Sequence, residues 1–118
     1  MPAALTGGFT KVVKFLIAID FETTGFSPKN GDAIVEIGAV KFNLESGIID
    51  EYSSLVNPQR PIPTVASNVH GIRNIDVADA AVIAIEWSRF TAWADEPHAL
   101  VAHNAWFEKS FINSIAPN

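Results

Sequence analysis

A chain of 118 residues has room for one small domain, and with 48% hydrophobic residues it can bury a core. Its net charge of −5 gives no overall basic field, so a nucleic-acid partner would have to be met by local basic residues or bound metal. The absence of cysteine excludes disulfides and thiolate–metal sites, and no apolar run is long enough to span a membrane.

Residues 1–12 are small and Gly-containing and lack the basic start and apolar core of a signal peptide. They read as a flexible N-terminal segment ahead of a domain at 13–118, and the cytoplasm is the default location. A first strand is expected from about Val12 to Asp20. Its run Phe15-Leu16-Ile17-Ala18-Ile19 suits a strand buried on both faces. Thr23-Thr24-Gly25 ends it, and Ser27-Pro28-Lys29-Asn30-Gly31 turns the chain. A second strand, Ala33 to Phe42, carries Glu36. Asn43 to Gly47 reads as a hairpin loop and Ile48 to Val56 as a third strand, so the three form an antiparallel meander.

Three prolines between Asn57 and Pro63 then break regular structure. Thr64 to His70 is a short helical turn closed by Gly71. Asp76 to Trp93 is expected as one long helix with Val82, Ile85, Phe90 and Trp93 on its apolar side. Glu86 and Arg89 would pair on its solvent side, and Trp87 and Trp93 are core or groove fillers rather than base-stacking platforms. Asp95-Glu96-Pro97 ends it. His98 to Ala102 is a short strand, Asn104 an N-cap, and Ala105 to Ile115 a second helix with Phe107, Phe111 and Ile115 as its core stripe.

Two clusters carry chemistry. Asp20 and Glu22 are two apart on a strand and point to the same side. Each raises the other's proton affinity, and a hard divalent cation such as Mg2+ or Mn2+ relieves that strain. The bland alternative leaves both exposed at a strand edge. The second cluster, His103-Asn104-Ala105-Trp106-Phe107-Glu108, joins the last strand to the last helix. There Asn104 caps, Glu108 complements the helix dipole, and taken alone this is capping. Open α/β sheets, however, place sites at the carboxyl ends of parallel strands. If the first and fourth strands are parallel neighbours, Asp20, Glu22 and Glu108 converge there.

IAIDFETTG followed by IVEIGAVKF, then NP-x-x-PIP, Val69-His70-Gly71-Ile72 and LVAHNAWFEKSFI, in this order, resemble the DEDDh-type 3′→5′ exonucleases, which include the proofreading subunit of bacterial replicative polymerases. The match runs from Val13 onward. It implies an RNase H-like α/β fold: a mixed sheet, three antiparallel strands plus a parallel fourth, with flanking helices. It also implies two-metal hydrolysis by Mg2+ or Mn2+, with ions about 3.5–4 Å apart. Asp20 and Glu22 match the first-motif ligands, and Glu108 stands where an aspartate is expected. His70 matches a histidine near the substrate 3′ terminus. Thr23, Thr24 and Gly25 would approach the terminal nucleotide, with His103 and Asn104 beside it. Phe26 and Phe107 would pack against the strand end or, equally, against the core; stacking is worth about 1–3 kcal/mol per base.

Two departures from the family pattern qualify this. Glu108 is one methylene longer than aspartate, and a displacement of ~1 Å can cost ~10²-fold. The family's third motif, a general-base histidine and a final aspartate, would lie beyond Asn118. His98 and His103 lie upstream and are not substitutes. General-base assistance is worth about 10²–10⁴-fold. The domain is therefore expected to be incomplete, with its last strand and helix missing and the fourth strand an exposed edge open to self-association. The function read from the sequence is a metal-dependent 3′→5′ exonuclease acting on single-stranded DNA or RNA 3′ ends, with DNA preferred and polymerase subunits as candidate partners. The alternative is a catalytically incomplete 3′-end-binding or interaction fragment of such a domain.

Overall fold

The computed structural model describes residues 13–96 and 98–115, together with the backbone of residues 3–4. Its strands are β1 (Ala3–Ala4), β2 (Phe15–Thr23), β3 (Ile34–Asn43), β4 (Gly47–Leu55) and β5 (His98–Ala102). Its helices are α1 (Thr64–His70), α2 (Asn74–Val77), α3 (Ile83–Ala94) and α4 (Ala105–Ile115), and a single 3-10 turn covers Pro28–Asn30. The sheet order is β1-β5-β2-β3-β4. β2, β3 and β4 form an antiparallel meander, while β5 runs parallel to β2 with Phe15 opposite His98 and Ala18 opposite Val101. This is the mixed sheet with flanking helices of an RNase H-like domain.

Alternation along β2 sorts its side chains. Phe15, Ile17, Ile19 and Phe21 are buried beneath the sheet, against Phe90 of α3 and Phe111 of α4. Asp20 and Glu22 fall on the other face, as strand geometry demands. That face is only half covered: Leu16, Ala18 and Glu22 are half-buried and Asp20 is exposed. The strand expected to be buried on both faces is therefore buried on one. It also runs three residues further than expected, to Thr23.

A register shift between Glu22 and Thr23 breaks the β2–β3 ladder, because Glu22 faces Glu36 while Thr23 faces Ile34. The extra residue, Val35, enters a second small core with Ile62, Ala66, Ile72 and Val77. A bulge of this kind bends a strand and re-aims its end. Here it lies where Asp20–Glu22 gives way to the Thr23–Phe26 loop.

Three expectations fail on tertiary contacts. The long helix at Asp76–Trp93 is two helices, because the Asn57 N–H donates to the Ala81 carbonyl at 2.9 Å and Asn57 bridges Val82 in parallel. That pairing holds Val82 in extended backbone, between the end of α2 and the start of α3. Glu86 does not face solvent: it is 3% exposed, whereas Ile85 of the expected apolar stripe is 50% exposed. The edge expected to be bare along β5 is paired at Val101 and Ala102 by Ala4 and Ala3. Apart from these two, the expected flexible segment 1–12 lies outside the described residues.

Candidate active site

The carboxyl ends of β2 and β5, the start of α4 and the end of α1 enclose a cleft of about 340 Å3. β2 contributes Asp20 and Glu22 and runs on into Thr23, Thr24, Gly25 and Phe26, while α1 contributes His70. The turn after β5 contributes His103 and Asn104, and α4 contributes Phe107 and Glu108. Every site residue singled out in the sequence lines this one cleft. The parallel pairing of β2 with β5 is what joins the two clusters, far apart in the chain, since β5 delivers α4 beside the end of β2.

Glu108 is 3% exposed, and its Oε2 accepts from the Phe21 N–H at 3.4 Å. Burial pushes its carboxyl above the ordinary range, and the negative charges of Asp20 and Glu22 add to this against the Phe21 hydrogen bond. Glu22 is likewise pushed up, by burial first and then by Asp20 and Glu36, with His70 opposing. Glu36 stands directly opposite Glu22 on β3, a like-charge pairing that a sheet ordinarily disfavours. These groups form a site of concentrated negative charge with little compensation from the protein.

Such a donor set, oxygen only, suits a hard cation. Yet among the described residues no three His, Asp or Glu side chains come close enough to hold one ion. Glu108 turns towards the backbone of β2. The chemistry of the donors fits a divalent metal, whereas their spacing as placed does not close around it.

His70 has both ring nitrogens engaged. The Ile72 N–H donates to Nδ1 at 3.1 Å, so Nε2 carries the proton and donates to the Thr23 carbonyl at 3.1 Å. Gly71, at φ 76°, ends α1 in the left-handed conformation and makes this turn possible. His70 thus ties α1 to the end of β2 across the cleft. Asn104 opens α4: its carbonyl accepts from the Phe107 and Glu108 N–H groups at 3.0 and 3.2 Å, and its side chain from Phe107 at 3.4 Å.

Part of the lining is apolar. Phe26 is 86% exposed and meets Phe107 edge-on with ring centroids 6.3 Å apart. Phe26 is therefore not a core residue. Val65, Ala66 and Val69 of α1 complete this part, and Val65 and Val69 are exposed. Sequence reasoning missed them; exposed valines one helical turn apart beside His70 were the available signal. It also missed Asp32, which lies behind the Thr23–Phe26 loop and bonds to it.

A profile of the exonuclease family matches residues 17–114 of the chain. The DNA polymerase III subunit epsilon-like protein of Rhodobacter capsulatus is 44% identical over 97 residues, which are 81% of this chain and 14% of that protein. A PolC-type DNA polymerase III of Caldanaerobacter subterraneus subsp. tengcongensis is 43% identical over 100 residues, 85% of this chain and 7% of that protein. Among solved structures, exonuclease X in complex with 5′-overhanging duplex DNA is similar, with a TM-score of 0.63 and 32% identity. That match covers 81% of this chain and 52% of that one. A 3′-exonuclease that recognises a histone mRNA stem-loop shares the fold at a TM-score of 0.76 and 19% identity, covering 89% of this chain and 41% of that one. The chain thus spans a small part of the curated relatives it matches.

Proposed function

This chain belongs to the RNase T-type family of 3′→5′ exonucleases, and on that premise we propose that its cleft binds the 3′ end of single-stranded DNA with the help of a divalent metal. In this reading the described residues hold the end without forming a complete hydrolytic centre. One observation carries it: a single cleft is lined both by acidic Asp20, Glu22 and Glu108 and by apolar Phe26, Phe107, Val65 and Val69. A terminal nucleotide offers a flat base to the apolar side chains and, with a divalent cation between them, an anionic phosphate to the carboxylates. DNA is favoured over RNA by the DNA polymerase III relatives and by exonuclease X with its duplex DNA.

The residues divide the work. Asp20 and Glu22 would hold Mg2+ or Mn2+, with Glu108 completing the set once its carboxylate leaves the Phe21 N–H. A divalent ion held by these residues would supply the positive charge that lets a phosphodiester approach the carboxylates. Phe26 and Phe107 pack the terminal base, His70 keeps α1 closed onto Thr23, and Thr23 to Gly25 approach the terminal sugar. Polymerase subunits are the proposed protein partners, by analogy with the relatives named above.

The test is a 5′-labelled single-stranded oligonucleotide with a free 3′ hydroxyl, incubated with the chain in Mn2+ beside an Asp20→Ala control. Metal-dependent binding that the control loses, with no shortening, is expected. Stepwise 3′ shortening that the control abolishes would instead make this chain a competent exonuclease. Binding that ignores both metal and Asp20 would overturn the proposed site.

A further inference from the structure

Behind the Thr23–Phe26 loop stands a carboxylate that touches none of the proposed metal ligands. Asp32 follows the Pro28–Asn30 turn, and its side chain is 18% exposed. Its Oδ1 accepts from the Thr24 hydroxyl at 3.0 Å and its Oδ2 from the Ser27 N–H at 3.1 Å. The Thr24 hydroxyl in turn accepts from the Ala33 N–H at 3.0 Å, and the Thr24 N–H donates to the Ala33 carbonyl at 2.9 Å. The loop is thus held at both of its ends by one side chain, while between them the Thr23 hydroxyl donates to the Gly25 carbonyl at 2.6 Å and the Phe26 ring meets Phe107. Gly25 lies flat against the carboxylate: a Cβ there would collide with the Asp32 carboxyl group. Close approach is the reason for glycine at this position. Arg60 braces the arrangement from outside, donating to the Gly31 carbonyl and lying 3.4 Å from Asp32 Oδ1.

We propose that Asp32 is a positioning residue for the end-binding cleft: through Thr24 and Ser27 it fixes the Gly25–Phe26 segment at the height where a terminal nucleotide packs. This rests on the end-binding reading above. The carboxylate suits the task because it offers two acceptor oxygens to two donors in opposite directions. An amide has one acceptor oxygen and no charge, so Asp32→Asn can accept from only one of the two donors, must reverse or lose its bond to Thr24, and weakens what remains. Hydrogen bonds to charged acceptors are the stronger kind, and a loop released by their loss samples positions that no longer match the ligand. The inferred effect is therefore on recognition of the end and not on the metal.

The experiment compares Asp32→Asn, Thr24→Val, Thr24→Ser and Arg60→Gln in the 118-residue chain. Fluorescence anisotropy in Mn2+ is read with a linear oligonucleotide and with a circular one of the same sequence, which has no end. Asp32→Asn is expected to weaken linear binding roughly tenfold while circular binding and the Mn2+-induced rise in unfolding temperature stay as in wild type. Thr24→Val should reproduce that loss and Thr24→Ser, which keeps the hydroxyl, should restore it. Arg60→Gln should lose about twofold to threefold, since it acts through Asp32. Linear binding unchanged in folded Asp32→Asn or Thr24→Val overturns the inference and leaves the end-binding reading standing. Should Asp32→Asn not fold, Thr24→Val and Arg60→Gln decide the matter by the same criterion. A wild type that binds linear and circular DNA alike sinks the end-binding reading itself, and the inference with it.

Discussion

Glu86 and Glu108 are equally buried, each 3% exposed, each in the first turns of a helix packed under the same sheet. Their surroundings differ. Glu86 accepts from the Tyr52 hydroxyl at 2.8 Å and from Arg89 at 2.5 Å. Burial alone would raise its carboxyl, but the Ser54 and Tyr52 hydroxyls and the Arg89 guanidinium outweigh it and hold the group below the ordinary range. Tyr52 is pushed up to about 12, by burial first and then by Glu86. Glu108 has one 3.4 Å backbone hydrogen bond and two acidic neighbours, and its proton affinity is raised. A buried carboxylate with donors is part of the scaffold. One left among other carboxylates is held at a cost in stability, in line with the cation-binding role proposed for it.

That contrast yields ordered predictions. Glu86→Ala has the largest effect: it removes the acceptor of the half-buried Tyr52 hydroxyl and should lower stability by about 2 kcal/mol in urea denaturation. A loss under half of that would mean Tyr52 finds another acceptor. The pH dependence comes next, measured in a chelator. Glu86 has a folded value below 4.5, so its contribution is present above 4.5 and lost as the pH falls through the folded value. Glu108 has a folded value above 4.5, so its contribution is fullest below 4.5 and lost as the pH rises through the folded value. Glu86→Gln should flatten the acid limb, and Glu108→Gln should reduce the decline on the other limb, with Glu22 responsible for what remains.

At neutral pH Glu108→Gln should raise stability by up to about 1 kcal/mol while weakening Mn2+ binding, the trade expected when a strained site is relaxed. Stability that falls instead would make Glu108 a scaffold residue like Glu86. The smallest effect belongs to Arg89→Ala. Its side chain is 63% exposed, so the pair with Glu86 is screened and should contribute about 0.5 kcal/mol. A double-mutant cycle of Glu86 with Tyr52 should show the larger coupling.

Much of this fold was legible from local pattern. Alternation placed Asp20 and Glu22 on one side of β2, and the helix at Ala105–Ile115 appears with the predicted bounds. Gly71 closes α1 and Gly47 ends the β3–β4 turn, both at positive φ. The eleven candidate site residues share one cleft because each sits at the end of an element whose type could be read locally. The failures lie elsewhere. The face of α3 was misjudged because its apolar spacing is ambiguous and the partner that buries Glu86, Tyr52, is 34 residues away. The break at residues 78–82 depends on Asn57, whose backbone takes a hydrogen bond that a continuous helix would have used.

By itself, then, the sequence determined the strands β2 to β5, the helix at 105–115, the acidic and aromatic residues offered to a site, and the family those residues match. Only the tertiary structure decided which buried acid is neutralised, that Phe26 faces the cleft, and that Asp32 clasps the loop beside it. The physical reason is range. Periodicity and capping act over a few residues and are written into neighbouring side chains. The state of a buried charge and the position of a loop are instead set by groups that meet only once the sheet has formed.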